Sequence, residues 1–364
     1  MGNSLVLLKG QRIYQLDLFR FLAALSVVFY HYFFRGQAAD DLSGLHFYEF
    51  GTYFKYGNLG VDLFFIISGF VIAMSISDLS VSNFVISRIV RLYPAYWFGV
   101  LFTFLVVYFF GMPHFNATVN QFLINLTMLE GFLHVKYLDG VYWTLSVELR
   151  FYFLVIVLLV VRKYFKRSFE IGVIAWLLLS IFYAFNAHTP LIKLLNLFFI
   201  LEWSPYFIAG IMFLMVYEKT AKYYHYLFLV LCLLLSIINA IYRISENEMH
   251  YHLAFSPYVI GLVILFFYIL MFLVTSNKLG FLNSKKWLAY GALTYPLYLI
   301  HQNVGYIIFN HFGDVMNKYV EVFATICSML LISFAVNRWL EIPLSKWLKA
   351  KLKGLKESYI IAKN

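Results

Sequence analysis

The sequence predicts an all-α integral membrane protein with about ten transmembrane helices and both termini in the cytoplasm. Three observations predict it. Hydrophobic residues make up 62% of the 364 and charged residues 13%, against roughly 25% charged in a soluble domain. The apolar runs are about 20 residues long and continuous, as a membrane-crossing helix requires, without the strict alternation of a barrel strand. The basic residues gather in alternate loops and near the C-terminus, as cytoplasmic segments do. That distribution separates the net charge of +10 from a nucleic-acid surface, so membrane lipid is an expected partner and nucleic acid is not. Cys232 and Cys327 lie in apolar runs, which gives no disulfide framework and no metal site.

The spans are expected at 14–34, 58–77, 94–112, 142–161, 170–186, 194–217, 223–242, 254–276, 290–310 and 319–340. With the N-terminus inside, nineteen Lys and Arg fall in inner segments, from Lys9 and Arg12 to Lys363. The outer segments hold six: Arg35, Lys55, Lys136, Lys193, Arg243 and Lys318. Residues 12–345 form the expected membrane domain and 346–364 a basic cytoplasmic tail. The outer loops 35–57 and 113–141 are too short for a soluble domain. Arg20 interrupts the first apolar run, so that run reads as a retained span rather than a cleavable signal.

Span one carries Arg20 and His31. A charge at the bilayer centre costs roughly 2.5–3.5 kcal/mol on insertion scales. Eleven residues turn an α-helix through about 1100°, three turns and about 20°, over about 16.5 Å. Both side chains therefore share a face, Arg20 toward the cytoplasm and His31 toward the outside. A plainer role for Arg20 is a pair with Asp17 or inward snorkelling. Span two runs back from Gly60-Val61-Asp62, which places Asp62 at the depth of His31 or makes it a helix cap. Before span three, Arg88 and Arg91 are three apart and share a face, and Pro94 fits a first helical turn. Their plainest role is a topology signal. With Arg20 they also form an inner mouth suited to a phosphate-bearing ligand.

Span four opens on Trp143-Thr144-Leu145-Ser146-Val147-Glu148. Trp143 reads first as an interfacial anchor, and Glu148 lies about two turns in. His31, Asp62 and Glu148 thus share the outer half. A carboxylate beside an imidazole fixes its tautomer and raises its basicity, and depth alone does not choose between the two. Arg150 is expected to pair with Glu148 or another buried acid. In span nine, Pro296 frees the carbonyl of Ala292 and kinks the helix ahead of His301. Span ten closes on Glu341-Ile342-Pro343, with Glu341 expected to pair with Arg338 at the helix end. His46, His114, His134, His250 and His252 show no metal-ligand spacing.

Taken together, these runs resemble the membrane acyltransferase-3 family. Arg20, ten residues and His31 resemble its Arg-x10-His signature. Gly60 to Phe70, which includes Ser68, resembles its second-span motif, and Arg88 to Tyr96 its Arg-rich inner loop. Trp143 to Glu148 with Phe151-Tyr152 resembles its fourth-span motif. Tyr295 to His301 and Glu341-Ile342-Pro343 resemble its last two. One departure is Arg150, where many relatives are uncharged or acidic.

The resemblance implies transfer of an acyl group, usually acetyl, from cytoplasmic acyl-CoA to a hydroxyl of a glycan or glycolipid, such as a bacterial surface polysaccharide. The expected location is the bacterial cytoplasmic (inner) membrane. The 364 residues show no fused SGNH-type domain, so the membrane domain is expected to do all the chemistry, without a metal. Arg20, Arg88, Arg91 and Tyr96 would hold acyl-CoA. His31 would deprotonate the acceptor or carry the acyl group, with Asp62 or Glu148 orienting it. Ser68, Trp143, Tyr298 and His301 would support. The competing classes are a secondary transporter or flippase of a polar lipid or glycolipid, using Arg20, His31 and Glu148 as a proton-coupled site, and a sensor that only binds acyl-CoA.

Overall fold

A computed structural model describes residues 12–49, 51–76, 80–313 and 315–363, with side chains to residue 358. Lys9 and the side chain of Lys363 lie outside the described residues. The protein is all-helical, with no strand among the described residues. Among the described residues eight helices are long and apolar enough to cross a membrane, and a ninth crossing is available if one bent pair counts as a span. Outward-facing side chains are apolar, such as Leu262, Phe266 and Phe323, as contact with lipid requires.

The chain divides into two compact units. The first comprises Met1–Ala23, Leu59–Ser77 and Val161–Gly291, and the second Ala24–Asn58, Asp78–Val160 and Ala292–Asn364. Helix α1 (Tyr14–Tyr30) supplies residues to both and runs into a π-helical turn, His31–Arg35.

In the first unit, α2 (Gly60–Ile76) is followed later in the chain by helices from Val161 onward. The second unit contains α3 (Val81–Phe110), capped by the Ser80 hydroxyl, which accepts from the Asn83 amide. This helix starts well before the expected 94. Arg88 and Arg91 are therefore helical residues rather than loop residues, and Pro94 lies inside the helix. A short helix, α4 (Val119–Asn125), begins in a capping box made by Thr118 and Gln121, and α5 (Trp143–Arg162) follows.

The stretch between α3 and α5, expected as an outer loop, doubles back along α3. The Phe104 and Phe122 rings stack with centroids 4.6 Å apart. Tyr96 Oη donates to the Asn125 carbonyl at 2.7 Å, Trp97 Nε1 to that of Leu126 at 3.1 Å, and Tyr93 Oη to that of Thr127 at 3.0 Å. From Phe110 to Tyr93 is roughly 25 Å of helix. Non-helical backbone at such depth must be satisfied by protein. Asn125 does much of this: Nδ2 donates to the Gln121 and Lys136 carbonyls, and Oδ1 accepts from the Leu138 amide.

The first unit continues with α6 (Ser168–Asn186), α7 (Pro190–Phe199) and α8 (Ser204–Tyr217). The expected span 194–217 is this pair, bent by 43°. Helices α9 (Tyr223–Tyr251) and α10 (Pro257–Thr275) complete the unit's long helices. Helices α2 and α8 touch backbone to backbone. A Cβ on Gly210 would sit 2.1 Å from the Ile66 carbonyl oxygen, so small residues set this packing.

The expected span 290–310 is two helices, α11 (Trp287–Ile300), which belongs to the second unit from Ala292 on, and α12 (Gln302–Phe312), broken at His301. Helix α13 (Lys318–Val336) passes through a second π-helical turn, Asn337–Glu341, into α14 (Ile342–Lys363). The expected tail is thus helical and lies on α3: Ser345 Oγ donates to the Val90 carbonyl at 3.0 Å and Lys356 Nζ to Asn83 Oδ1 at 2.9 Å.

Candidate functional site

The π-helical turn places His31 and Tyr32 against the 298–306 segment. Inserted π turns shift the register of a helix and recur at functional sites. His31 Nδ1 lies 3.0 Å from Tyr306 Oη, and the same hydroxyl donates to the His31 carbonyl at 3.2 Å. The hydroxyl has one proton: given to the carbonyl, it leaves the oxygen to accept from a ring N–H at Nδ1, and in that tautomer Nε2 holds the lone pair. His31 Nε2 has no hydrogen-bond partner among the described residues. The next residue, Tyr32, donates to the His301 carbonyl at 2.7 Å. It fits only because position 305 is glycine: a Cβ there would lie 2.4 Å from the Tyr32 ring.

His301 sits at the break between α11 and α12, its ring centroid 5.1 Å from that of His31. Its Nδ1 is 2.9 Å from the Tyr298 carbonyl, which can only accept, so Nδ1 again carries the proton. Its Nε2 is fully buried without a partner, at a cost of about 1–3 kcal/mol for such an orphaned group. Tyr298 is held in turn by Thr144, with the two hydroxyls 2.9 Å apart. Trp143, half-buried, begins α5 beside them in sequence.

Asp139, which sequence reasoning passed over, closes this end of the unit. It is fully buried and accepts from the Asn303 amide at 2.9 Å and the Val141 amide at 3.1 Å. Burial pushes its carboxyl up to about 7, and the two amides oppose that shift. An Asp-Gly pair just before a helix is a capping signal that could have found it.

Arg88 lies between the Phe84 and Tyr152 rings, 5.5 and 5.7 Å from their centroids, with its Nε 3.1 Å from Ser87 Oγ. No carboxylate lies within ion-pair distance of it among the described residues. Glu148 accepts a short hydrogen bond from Tyr152, the ring on which Arg88 rests. Arg150 Nε donates to the Ser146 carbonyl at 3.0 Å, and its guanidinium lies over Phe132. Arg91 pairs with Glu341 at 2.8 Å and lies over Tyr295, while the other Glu341 oxygen accepts from Asn337 at 2.9 Å. This corrects the expected Glu341–Arg338 pair: the second π turn brings the carboxylate to α3 instead. Tyr96 is fully buried, its hydroxyl on Asn125 and 3.4 Å from Glu130.

The first unit holds the remaining candidates. Asp62 accepts from Tyr206 Oη at 2.9 Å and lies 3.9 Å from Arg243. Arg243 pairs with Glu202 at 3.1 Å and stacks on Trp203 at 4.2 Å. Arg243, expected in an outer loop, is therefore a residue of α9 in an ion cluster that joins α2, α8 and α9. Ser68 is buried on α2. Arg20 is half-buried on α1, and Asp17 takes Arg12 through both oxygens, at 2.8 and 2.9 Å. No group of three metal-ligand side chains occurs among the described residues.

The second unit therefore brings together His31, His301, Tyr298 and, unannounced by any motif, Tyr306. It also joins Arg88 to Glu148 through Tyr152. Two imidazoles held at Nδ1, with Nε2 atoms that no other group occupies, can accept protons, and Arg88 can receive an anion.

Comparison with known proteins points the same way. No solved structure matches the chain. Nodulation protein 10 of Rhizobium leguminosarum bv. viciae is 29% identical over 173 residues, 42% of this chain and 46% of that protein, so the chain spans about half the length of this relative. The protein named "Putative acetyltransferase ORF330", from Acidianus two-tailed virus, is 26% identical over 285 residues, 78% of this chain and 80% of its own. The acyltransferase-3 family model, described as an acyltransferase domain, matches residues 13–338. That match covers the π turn, both histidines and the helices that hold them, and the chain belongs to the acyltransferase-3 family.

Proposed function

We propose that this multi-pass membrane protein transfers an acyl group, acetyl in the first instance, from cytoplasmic acyl-CoA to a hydroxyl of a glycan or glycolipid, in a bacterial inner membrane. The observation that carries the reading is His31: its Nδ1 is tied to Tyr306 and its Nε2 is open. Such a ring is a positioned general base. His31 Nε2 takes the acceptor's proton as the hydroxyl oxygen attacks the thioester carbonyl. Arg88, without a carboxylate partner, is the cation suited to the phosphates of CoA. Arg91 is already engaged by Glu341 and serves the donor less directly. Glu148 acts at Arg88 through Tyr152 rather than on His31 Nδ1, which Tyr306 occupies. Asp62 is engaged by Tyr206 and Arg243, and this step is written without it, Arg20 or Ser68.

The test is acyl transfer by the purified chain in lipid nanodiscs, with acetyl-CoA and a panel of glycans and glycolipids, products read by mass spectrometry. His31→Ala is expected to lower transfer by about 10²–10⁴-fold while the protein stays folded. Near-wild-type transfer by that variant would sink the role of His31. Movement of a labelled glycolipid across the membrane without release of CoA would favour a flippase instead.

A further inference from the structure

The histidine pair contains a group that the scheme above does not use. His301 Nε2 is an acceptor, enclosed completely and open, while its own Nδ1 and carbonyl are engaged. A buried acceptor left unmatched calls for an explanation. In a base–carboxylate pair, the carboxylate offsets the charge that develops on the imidazole. On His31 that position belongs to a neutral phenol, Tyr306. The open acceptor beside the ring is His301, at a centroid separation of 5.1 Å with the planes tilted by 59°. The position of His301 is fixed from both sides: Tyr32 Oη and the Gly305 amide both donate to its carbonyl, at 2.7 and 3.0 Å.

We propose that His301 is the proton partner of His31, sharing and then returning the proton that His31 removes from the acceptor. The inference rests on the acyl-transfer reading. As the acceptor oxygen forms its bond to the thioester carbon, its O–H bond breaks and the proton goes to His31 Nε2. The imidazolium N–H is then shared with the His301 Nε2 lone pair, which spreads the charge over two rings without a buried anion. The carbon–sulfur bond breaks, sulfur leaves with the electron pair, and the proton passes to the thiolate. Both rings end neutral, each with its proton on Nδ1. His301 thus acts through His31 as a positioning and proton-sharing residue.

The groups that face the pair are Tyr30, Tyr32 and Arg35 on the first helix, Tyr298 on α11 and Tyr306 on α12, with Asp139 acting on Tyr32 and Tyr298. Asp139 titrates near neutrality, so pH profiles are read in an Asp139→Asn background as well.

The experiment uses the full chain in nanodiscs with acetyl-CoA, with water and glycerol as acceptors, and follows the free thiol. His301→Gln keeps the volume and polarity of the side chain but cannot carry the proton. It is expected to lower kcat about 100-fold, leave KM for acetyl-CoA within about twofold, and flatten the pH dependence of kcat. A kcat within about threefold of wild type, with an unchanged profile, overturns the proposal. A second measurement does not depend on that variant's folding. In the ¹⁵N-histidine spectrum of the full chain, His31→Gln is expected to lower the midpoint of the first protonation at His301 by about one pH unit or more, because a shared proton stabilises the singly charged pair; a rise would show like-charge repulsion without sharing and overturns the proposal. An unmoved midpoint overturns proton sharing. If the wild-type chain releases no thiol with any acceptor, the acyl-transfer reading falls, and the spectrum still decides whether the rings share a proton.

Discussion

A phenol on His31 Nδ1 holds the ring in place without adding the negative charge that would strengthen the base. Tyr306→Phe removes that hold while keeping the ring in place. Loss of one net hydrogen bond, about 1–1.5 kcal/mol, corresponds to a kcat reduced by roughly tenfold, with KM for acetyl-CoA little changed. Steady-state kinetics on the purified variant check this, and an unaltered kcat would remove Tyr306 from the mechanism. The two arginines separate in the same way. Arg88 has no carboxylate to lose, so Arg88→Ala is expected to weaken acetyl-CoA binding about tenfold and leave folded yield intact. Arg91→Ala leaves Glu341, which is 7% exposed, as a buried carboxylate without its cation, so the loss is expected in yield and thermal stability. Isothermal titration with acetyl-CoA, beside size-exclusion profiles, distinguishes them. Residues in short motifs were legible in the sequence: Arg20, His31, Arg88, Glu148 and His301 all stand out by spacing and cost. Tyr306 was not. It lies 275 positions from His31, is one of 29 tyrosines, and acquires its role only when α12 meets the π turn.

At the scale of elements, periodicity found the helices and missed how they are interrupted. A π turn leaves no periodic signature, because it adds one residue where a span is already ending. The turn at His31–Arg35 and the one at Asn337–Glu341 were therefore invisible, although each delivers a polar side chain, His31 or Glu341, to its partner. The hairpin along α3 was hidden for a related reason: its polar residues read as a solvated loop, whereas Asn125, Glu130 and Asp139 are fully buried. Glu130 is the measurable consequence. Its Oε1 is 3.4 Å from Tyr96 Oη, its Oε2 has no partner, and burial raises its carboxyl to about 7 from an ordinary value of 4.5. The native state thus binds a proton that the unfolded chain has released between those values. Stability is therefore greatest below about 4.5, falls as pH rises through 7, and is flat above. Glu130→Gln has no such slope. Relative to wild type it is expected to gain on the order of 1–3 kcal/mol between pH 5 and pH 8, seen as a higher apparent Tm at pH 8. An equal pH dependence in the two proteins would show that the hairpin carboxylate is not the titrating group.

For the whole molecule, composition fixed the class and charge predicted the orientation. Both termini inside requires an even number of crossings. Eight helices qualify by themselves and the bent pair α7–α8 makes nine, which alone would place the termini on opposite sides. The expected ten would need α11 and α12, of 14 and 11 residues, to supply one crossing together. At 1.5 Å per residue they measure roughly 21 and 16 Å, together enough for a hydrocarbon core of about 30 Å. The break at His301 leaves each half too short to read as a span by itself. The nineteen-to-six distribution of Lys and Arg over the expected segments makes that tenth crossing the consistent choice. Exposed positions for a test are Asn116 before α4, Lys163 after α5 and Lys349 on α14. In a Cys232→Ser, Cys327→Ser background, Asn116→Cys is expected to react with a membrane-impermeant maleimide on intact cells. Lys163→Cys and Lys349→Cys are expected to react only after permeabilisation. If Lys163→Cys stays protected while Lys349→Cys labels from outside, α11 and α12 do not cross, and the count is nine. Labelling of both from outside would reverse the orientation and remove Arg88 from the side on which acyl-CoA is available.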